Sequence, residues 1–495
     1  MSTDVVNIIF GMKIRQARLE AGLTLTELAA ATGLSASYLT EIEKGRKYPR
    51  SDKILRMAEA LDKEYDALVS IKLGPSQAYL ETALASPLLH EFPFEEFGLD
   101  ESHLVELLTR TPDRASALLH AILEISRQYD LREEHFLRAM LRSYQEIHEN
   151  YFPKIEGAAD EFSQQFGLDG DLPLGSDQLS ALLREEFGYE LEEETLAATP
   201  ELAGYRSVFA QGDRPQLFIN SQLRPRQIKF LLAREIGYQY LELEERSLAS
   251  TPERTDSFQQ VLNDFKASYF GGALLMPSRF IVADIKEFFG QKTWQPQRLL
   301  DMLARYEVTS EMLLYRFSEL IPEFFGLKLH FLRMHRVNNS LHLYKRLNMN
   351  RLLVPSGLAL NEHYCRRWLS AKLLNQMDTG RVTWDQPLVG IQMSEFLGAG
   401  DRFLNIGFAR PLVLSPDVSS SVVVGFRDEP ELAQEISFLD DPVVPTVLIN
   451  ETCERCPLTA EDCSVRAAEP TVLIKEQEKA RRLEALKRLL FNKGE

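Results

Sequence analysis

The chain has 495 residues, 44% hydrophobic and 26% charged, with a net charge of −17. That length supports several domains with their own cores, and no stretch approaches the roughly 18 consecutive apolar residues of a membrane helix. The start, Met1-Ser2-Thr3-Asp4, has neither a basic segment nor a small-residue cleavage site, so no secretion signal and a cytoplasmic location are expected.

The charge is unevenly spread. Residues 1–70 carry ten basic and ten acidic side chains, so the whole excess of acid lies beyond them. Within the neutral segment, Lys44, Arg46, Lys47, Arg50, Lys53 and Arg56 are opposed only by Asp52. A local field of that sign, rather than the total charge, governs attraction to phosphates.

Five short helices are expected over residues 1–70. Thr24 and Glu27 form a capping box that starts one helix, and Leu28 and Ala29 give it an apolar face. Gly33 stands where the helix must stop and the chain turn sharply. Ser35 can cap the next helix. Leu39 and Ile42, three apart, turn that helix inward and leave Ala36, Ser37 and Thr40 outward. Small residues there let a helix sit deep in a major groove, and Lys44, Arg46 and Lys47 follow where phosphates would lie. The segment, with its close Glu43-Lys44-Gly45-Arg46 and Tyr48-Pro49, resembles the Xre/Cro helix-turn-helix family over about residues 7–70. The resemblance implies binding to double-stranded DNA through Ser35, Ala36, Ser37, Thr40, Lys44, Arg46 and Lys47.

Residues 75–165 read as helical. Apolar spacing at Ala117, Leu118, Ala121, Ile122 and Ile125, and again from Phe136 to Tyr144, fits a linker, a dimerisation bundle or both. A Gly/Asp/Pro-rich break follows at Gly167–Gly175. Beyond it a strand is expected at Gln216–Asn220 and helices at Arg226–Leu241 and 297–320. Further strands are expected at Lys328–Met334, Gly390–Met393, Phe403–Phe408 and Ser419–Phe426, and a charged helix at Lys475–Phe491. There is no internal repeat or low-complexity tract.

In the helix Phe230–Tyr240, Arg234 and Tyr238 occupy the two positions, four apart, where a zinc-peptidase helix carries histidines, and Glu235 stands where its general base does. A guanidinium has no lone pair for zinc and a neutral phenol is a poor ligand, so hydrolysis by this route is not expected. Phe218-Ile219-Asn220 ahead of the helix and Phe265–Pro277 behind it are similar to the ImmA/IrrE peptidase-like family over about residues 185–320, with Asp264 near that family's third metal ligand. The implied picture is a retained fold with a reused cleft. Arg234, with Tyr238, either holds an anionic ligand there or pairs with Glu235 or another acid.

The only cysteines are Cys365, Cys453, Cys456 and Cys463. Three thiols within eleven residues suit metal or redox chemistry in a reducing compartment, and four thiolates suit tetrahedral zinc or an iron–sulfur cluster. The combination of these parts, with Asn361-Glu362-His363-Tyr364-Cys365-Arg366-Arg367-Trp368 and Cys453-Glu454-Arg455-Cys456-Pro457-Leu458, resembles the short-chain fatty acyl regulators, which include those of propionate and acetate (glyoxylate) metabolism. That resemblance implies a 4Fe–4S cluster on the four cysteines, in preference to zinc, and a short-chain acyl-CoA ligand, propionyl-CoA in the propionate regulators.

The expected fold is multidomain, mainly α with α+β. It comprises a helix-turn-helix domain at 1–70, a helical linker or dimerisation segment at 71–170, a degenerate ImmA/IrrE-like domain at 171–325, and a C-terminal α+β sensing and cysteine domain at 326–495. The expected function is a homodimeric, non-enzymatic transcription regulator of acyl-CoA metabolism. The alternatives are a redox- or iron-sensing regulator and a regulatory metallopeptidase.

Overall fold

The computed structural model describes residues 3–71, 95–98, 133–170, 172–250, 255, 257–355, 361–377 and 382–491. The apolar spacing at Asp113–Gln128 lies outside them. Contacts divide the chain into two compact units: Met1–Met140 with Asp256–Phe258, and Leu141–Thr255 with Gln259–Glu495.

In the first unit, α1 (Thr3–Glu20), α2 (Leu25–Thr32), α3 (Ala36–Glu43), α4 (Ser51–Ala60) and α5 (Tyr65–Val69) enclose a core of Phe10, Ile14, Leu28, Leu39, Ile42, Ile54, Met57 and Leu61. Local chemistry sets the boundaries. Thr24 Oγ1 accepts from the Glu27 N–H while Glu27 accepts from the Thr24 N–H. Gly33 ends α2 at φ 68°, a conformation that suits glycine. Ser35 Oγ accepts from the Tyr38 N–H to start α3. Gly11 lets α1 lie directly on α3, because a Cβ there would collide with the Ile42 carbonyl oxygen. The same pair of helices is locked by Arg18, which grips Glu43 at two points, 2.6 and 2.9 Å, and also donates to the Leu23 carbonyl.

The second unit opens with the end of α6 (Glu133–Ile147) and with α7 (Pro153–Gln165). Its compact core thus begins inside the stretch expected as a linker. A buried charge triad ties α7 in: Arg316 holds Glu156 of α7 at 2.6 and 2.8 Å and Glu319 at 2.9 Å. Next come α8 (Ser176–Glu185), β1 (Glu190–Glu192), α9 (Thr195–Ala198), β2 (Ser207–Ala210) and β3 (Gln216–Ile219), the strands forming a small sheet in the order β1-β3-β2. The helices α10 (Pro225–Tyr240), α11 (Phe258–Leu275), α12 (Ser278–Phe289), α13 (Pro296–Arg305) and α14 (Ser310–Phe325) follow. The backbones of α10 and α11 nearly touch. A Cβ on Gly237 would lie 2.9 Å from the Ala267 carbonyl oxygen, and one on Gly271 would lie 2.9 Å from the Arg234 nitrogen.

The remainder is built on a six-stranded sheet, β5-β4-β8-β7-β6-β9. Its strands are β4 (Leu329–Val337), β5 (Ser340–Asn348), β6 (Leu388–Phe396), β7 (Arg402–Pro411), β8 (Ser419–Arg427) and β9 (Thr446–Ile449), with α15 (Leu369–Gln376) between β5 and β6 and α16 (Pro430–Glu435) before β9. Two strands of this sheet, β5 and β9, were missed by the sequence reading. β5 follows a tight turn at Asn338 and Asn339, both at positive φ, the turn chemistry that marks a hairpin. Alternation splits the sheet's faces. Leu332, Met334, Phe403, Ala409 and Val423 pack with Leu369 and Leu373 of α15, while Phe331 meets Tyr315 of α14 at 5.2 Å. The chain closes on α17 (Thr471–Phe491). Among the described residues no helix is long and apolar enough to cross a membrane.

Arg18 and Glu43 are 8% and 5% exposed, so removing one partner strands the other's charge. Glu43→Ala is expected to destabilise the first unit by about 3–5 kcal/mol, read from the denaturant midpoint of its unfolding transition.

Candidate functional site

The outward face of α3 is flanked by basic side chains. Ser35 and Ser37 are exposed, Ala36 and Thr40 are half-buried, and Lys44, Arg46 and Lys47 are exposed. Leu39 and Ile42 are fully buried on the opposite face, so packing fixes which side of α3 looks out. Thr40 Oγ1 donates back to the Ala36 carbonyl at 2.8 Å. Lys53 sits 4.2 Å and Lys47 6.0 Å from the centre of the Tyr38 ring, a cation–π arrangement that draws both charges toward α3.

The positions likened to those of a zinc peptidase are occupied by a buried polar network, in which Arg234 Nε and Arg246 Nε find no partner among the described residues. Arg234 donates to the Tyr238 hydroxyl at 3.0 Å, Tyr238 donates to Asp264, and Arg234 lies 3.6 Å from the same carboxylate. Asp264 also accepts from the Ser247 hydroxyl at 2.5 Å and its N–H at 3.2 Å. Arg234 therefore pairs with Asp264, not with Glu235. Glu235 is held by Arg246 at 2.5 and 2.8 Å and by the Tyr189 hydroxyl at 2.8 Å, and the Arg246 guanidinium is stacked 3.7 Å from Phe209 and 3.9 Å from Tyr238. Burial raises the phenols of Tyr189 and Tyr238 well above their usual range, so both remain neutral donors. A carboxylate bound by two guanidinium nitrogens and a phenol is a poor general base. Arg246 and Tyr189 carry no local motif and were not singled out from the sequence.

A second cluster forms on the face of the large sheet that looks toward α14. Arg333 of β4 donates to Glu311 of α14 at 2.7 Å and to Ser420 at 3.4 Å. Burial would raise the Glu311 carboxyl, but Arg333, Arg206, Lys345 and Arg410 together bring it down to about 2. Arg410 is buried, lies 5.1 Å from the Trp384 ring, and is lowered to about 10 by desolvation, with Arg333 and Arg206 adding to the effect against Glu311. His335 is pushed down to about 4 by burial and by Arg333, and its ring stacks on Tyr344 at 4.5 Å. Among the described residues, four cations thus share one carboxylate, and two buried donor or acceptor atoms beside them, His335 Nε2 and Trp384 Nε1, have no partner. Such a grouping can hold a polyanion. The sequence offered no sign of it, because its four cations and one carboxylate come from five separated segments.

Cys365, Cys453, Cys456 and Cys463 are all buried, unpaired by disulfides, and line one cavity together with Arg366, Arg367 and Arg466. The loops are tied beforehand. The Cys453 N–H donates to the His363 carbonyl at 2.8 Å, the Ala467 N–H to Cys453 Sγ at 3.3 Å, and Arg455 to Glu362 at 2.8 and 2.9 Å. Burial pushes the Cys365 thiol up to about 11. Among the described residues no three His, Cys, Asp or Glu side chains converge tightly enough for a single ion.

Comparison with known proteins places names beside two of these regions. Residues 14–68 match the family model described as helix-turn-helix, and residues 185–318 match the IrrE N-terminal-like domain. The chain is similar to the transcriptional regulator ClgR of two Mycobacterium tuberculosis strains, CDC 1551 / Oshkosh and ATCC 25618 / H37Rv. In each case it is 39% identical over 57 residues, which are 12% of this chain and 51% of the relative. The chain thus spans about half the length of the curated relatives it matches. A solved Mycobacterium tuberculosis transcriptional regulator aligns at a TM-score of 0.46 and 19% identity, covering 66% of this chain and 92% of the other.

The Glu311 carboxyl is lower in the folded chain than in the unfolded one, so its contribution is present above about pH 4.5 and lost as pH falls toward 2. Glu311→Gln is expected to lower stability on the order of 3 kcal/mol at pH 7. Denaturant titrations of both proteins across pH 7 to 2.5 should show that gap closing with acid.

Proposed function

We propose that this chain is a DNA-binding transcription regulator of short-chain acyl-CoA metabolism. Its first unit reads an operator, and its second unit senses an acyl-CoA and carries a 4Fe–4S cluster. The observation that carries the DNA-binding part is the exposed α3 face, with small residues at its centre and Lys44, Arg46 and Lys47 at its edge. The helix-turn-helix match over residues 14–68 supports it. In a homodimer, two such faces would address half-sites about one helical turn, or a multiple, apart.

The acyl-CoA reading draws support from the cluster of Arg206, Arg333, Lys345 and Arg410 around Glu311. A CoA thioester carries several phosphate charges, and guanidinium groups are suited to binding them. Tyr344 and Trp384 beside the cations offer flat faces for the adenine. To act as a switch, the ligand must bind the DNA-competent and incompetent states with different affinity.

Four buried thiols on one cavity fit the donor chemistry of an iron–sulfur centre. A tetrahedral zinc site needs all its sulfurs about 2.3 Å from one ion, whereas a cluster takes each thiolate on a different iron. The resemblance to the short-chain fatty acyl regulators favours the cluster over zinc. When bound, the cluster would add a redox-sensitive, partly anionic group. Cys365, Cys453, Cys456 and Cys463 would hold it, Arg366 and Arg466 would offset its charge, and the Ala467 N–H would donate to the Cys453 sulfur. A peptidase reading is disfavoured by the occupied Arg234–Tyr238–Asp264 and Glu235–Arg246 networks.

Ser37→Glu is expected to abolish specific DNA binding in fluorescence anisotropy by placing a carboxylate against the groove. Wild-type affinity would move the reading face away from α3. Arg410→Met should weaken propionyl-CoA binding roughly tenfold or more in calorimetry; equal affinity would remove the sheet cluster from the ligand site. Cys456→Ala should lose its iron after anaerobic purification, and a full iron content would refute this ligand set.

A further inference from the structure

On the other face of the large sheet, where α15 packs, a second cleft adjoins the cysteine cavity. Its lining includes Arg366, Arg367, Lys372, Gln392, Val447 and Val465. Arg367 is common to the cleft and the cysteine cavity. Its carbonyl accepts from Gln392 Nε2 at 3.0 Å, and its backbone N–H donates to the Cys365 sulfur.

Gln392 is 0% exposed. Its Nε2 donates to the Arg367 carbonyl and, at 2.9 Å, to Ser394 Oγ. The carbonyl can only accept, so it fixes which way the amide faces. The atom left over is therefore an acceptor: Gln392 Oε1 is buried without a partner among the described residues. Arg366 is engaged, donating to the Asn339 carbonyl at 2.9 Å. Arg367 and Lys372 have no carboxylate partner among the described residues, although the chain as a whole carries an excess of acid. The cleft thus combines two uncompensated cations, one buried acceptor awaiting a donor, and two valine side chains.

We infer that this cleft binds a short-chain 2-hydroxycarboxylate, at a site separate from the Arg333–Arg410 cluster on the opposite face. The carboxylate meets Arg367 and Lys372, the hydroxyl donates to Gln392 Oε1, and a short aliphatic chain lies along Val447 and Val465. A plain carboxylate satisfies the cations but leaves the Gln392 acceptor stranded, which a donor on the ligand would relieve. A 2-amino acid supplies a donor but sets an ammonium among three basic side chains, where like charge opposes it. The site does not depend on what the cysteines hold, yet Arg367 makes it adjacent to them. Occupancy would bear on the same short loop that presents Cys365.

The test is calorimetric titration of the full-length protein with racemic 2-hydroxybutyrate, butyrate and 2-aminobutyrate. Saturable binding of 2-hydroxybutyrate is expected, roughly tenfold or more tighter than either analogue. Lys372→Met and Arg367→Met should each weaken it by a similar factor. Lys372→Met, half-buried and free of hydrogen bonds to other elements, should keep the wild-type melting temperature, so its effect reports on binding and not on folding. No saturable binding of 2-hydroxybutyrate would overturn the inference. So would equal affinity for butyrate, tighter binding of 2-aminobutyrate, or unchanged affinity in both variants.

Discussion

The charged cluster of the second unit depends on the two-residue period of strand β4. Successive side chains of an extended strand point to opposite faces, so Phe331, Arg333 and His335 look toward α14 while His330, Leu332 and Met334 look toward α15. A shift of one residue would carry Arg333 away from Glu311 and put a guanidinium into the apolar layer beneath α15. Register is held from both sides. β4 pairs along its length with β5 and with β8, and His330 is pinned between Asn350 at 3.2 Å and Asn405 at 3.0 Å. Gly425 leaves room for that ring, since a Cβ there would overlap it. Burial brings His330 down to about 4, so it stays neutral inside the sheet.

The same alternation separates two kinds of polar chemistry. On the α14 face, guanidinium groups crowd around one carboxylate, with flat rings beside them. On the α15 face, small polar side chains (Gln392, Ser394 and Asn405) form a buried chain of amide and hydroxyl contacts, and the cysteine loops close over its end. Gly390 lets α15 sit hard against β6, because a Cβ there would lie 2.8 Å from Leu373. A single sheet therefore keeps a polyanion-compatible surface and a sulfur-lined cavity apart.

In the region that matches the IrrE N-terminal-like domain, buried charges neutralise one another. A divalent ion would supply positive charge to the carboxylate and to the two helix positions. Here the Arg234 guanidinium stands beside Tyr238 and Asp264, and a second arginine, Arg246, neutralises Glu235. The tight contact of α10 with α11 through Gly237 and Gly271 places these side chains together. Breaking such a network one member at a time would leave a buried charge without its partner.

Much of the first unit was legible in the chain itself. The Thr24–Glu27 capping box, Gly33 and Ser35 act through residues three or four positions away, and the inward turn of Leu39 and Ile42 follows from helical period alone. Short-range chemistry of this kind needs no knowledge of the rest of the molecule. The presence of Arg234 and Tyr238 four apart on one helix, and the grouping of Cys453, Cys456 and Cys463, were equally readable. Tertiary structure alone decided what those residues touch. Arg234 met Asp264, Glu235 met Arg246 from beyond the helix, Glu156 was drawn from the expected linker into the second unit by Arg316, and Arg206, Glu311, Arg333 and Arg410 were assembled from elements up to two hundred residues apart. Long-range charge pairing leaves no periodicity or spacing behind, so it becomes visible only when the sheet and its two covering helices are in place.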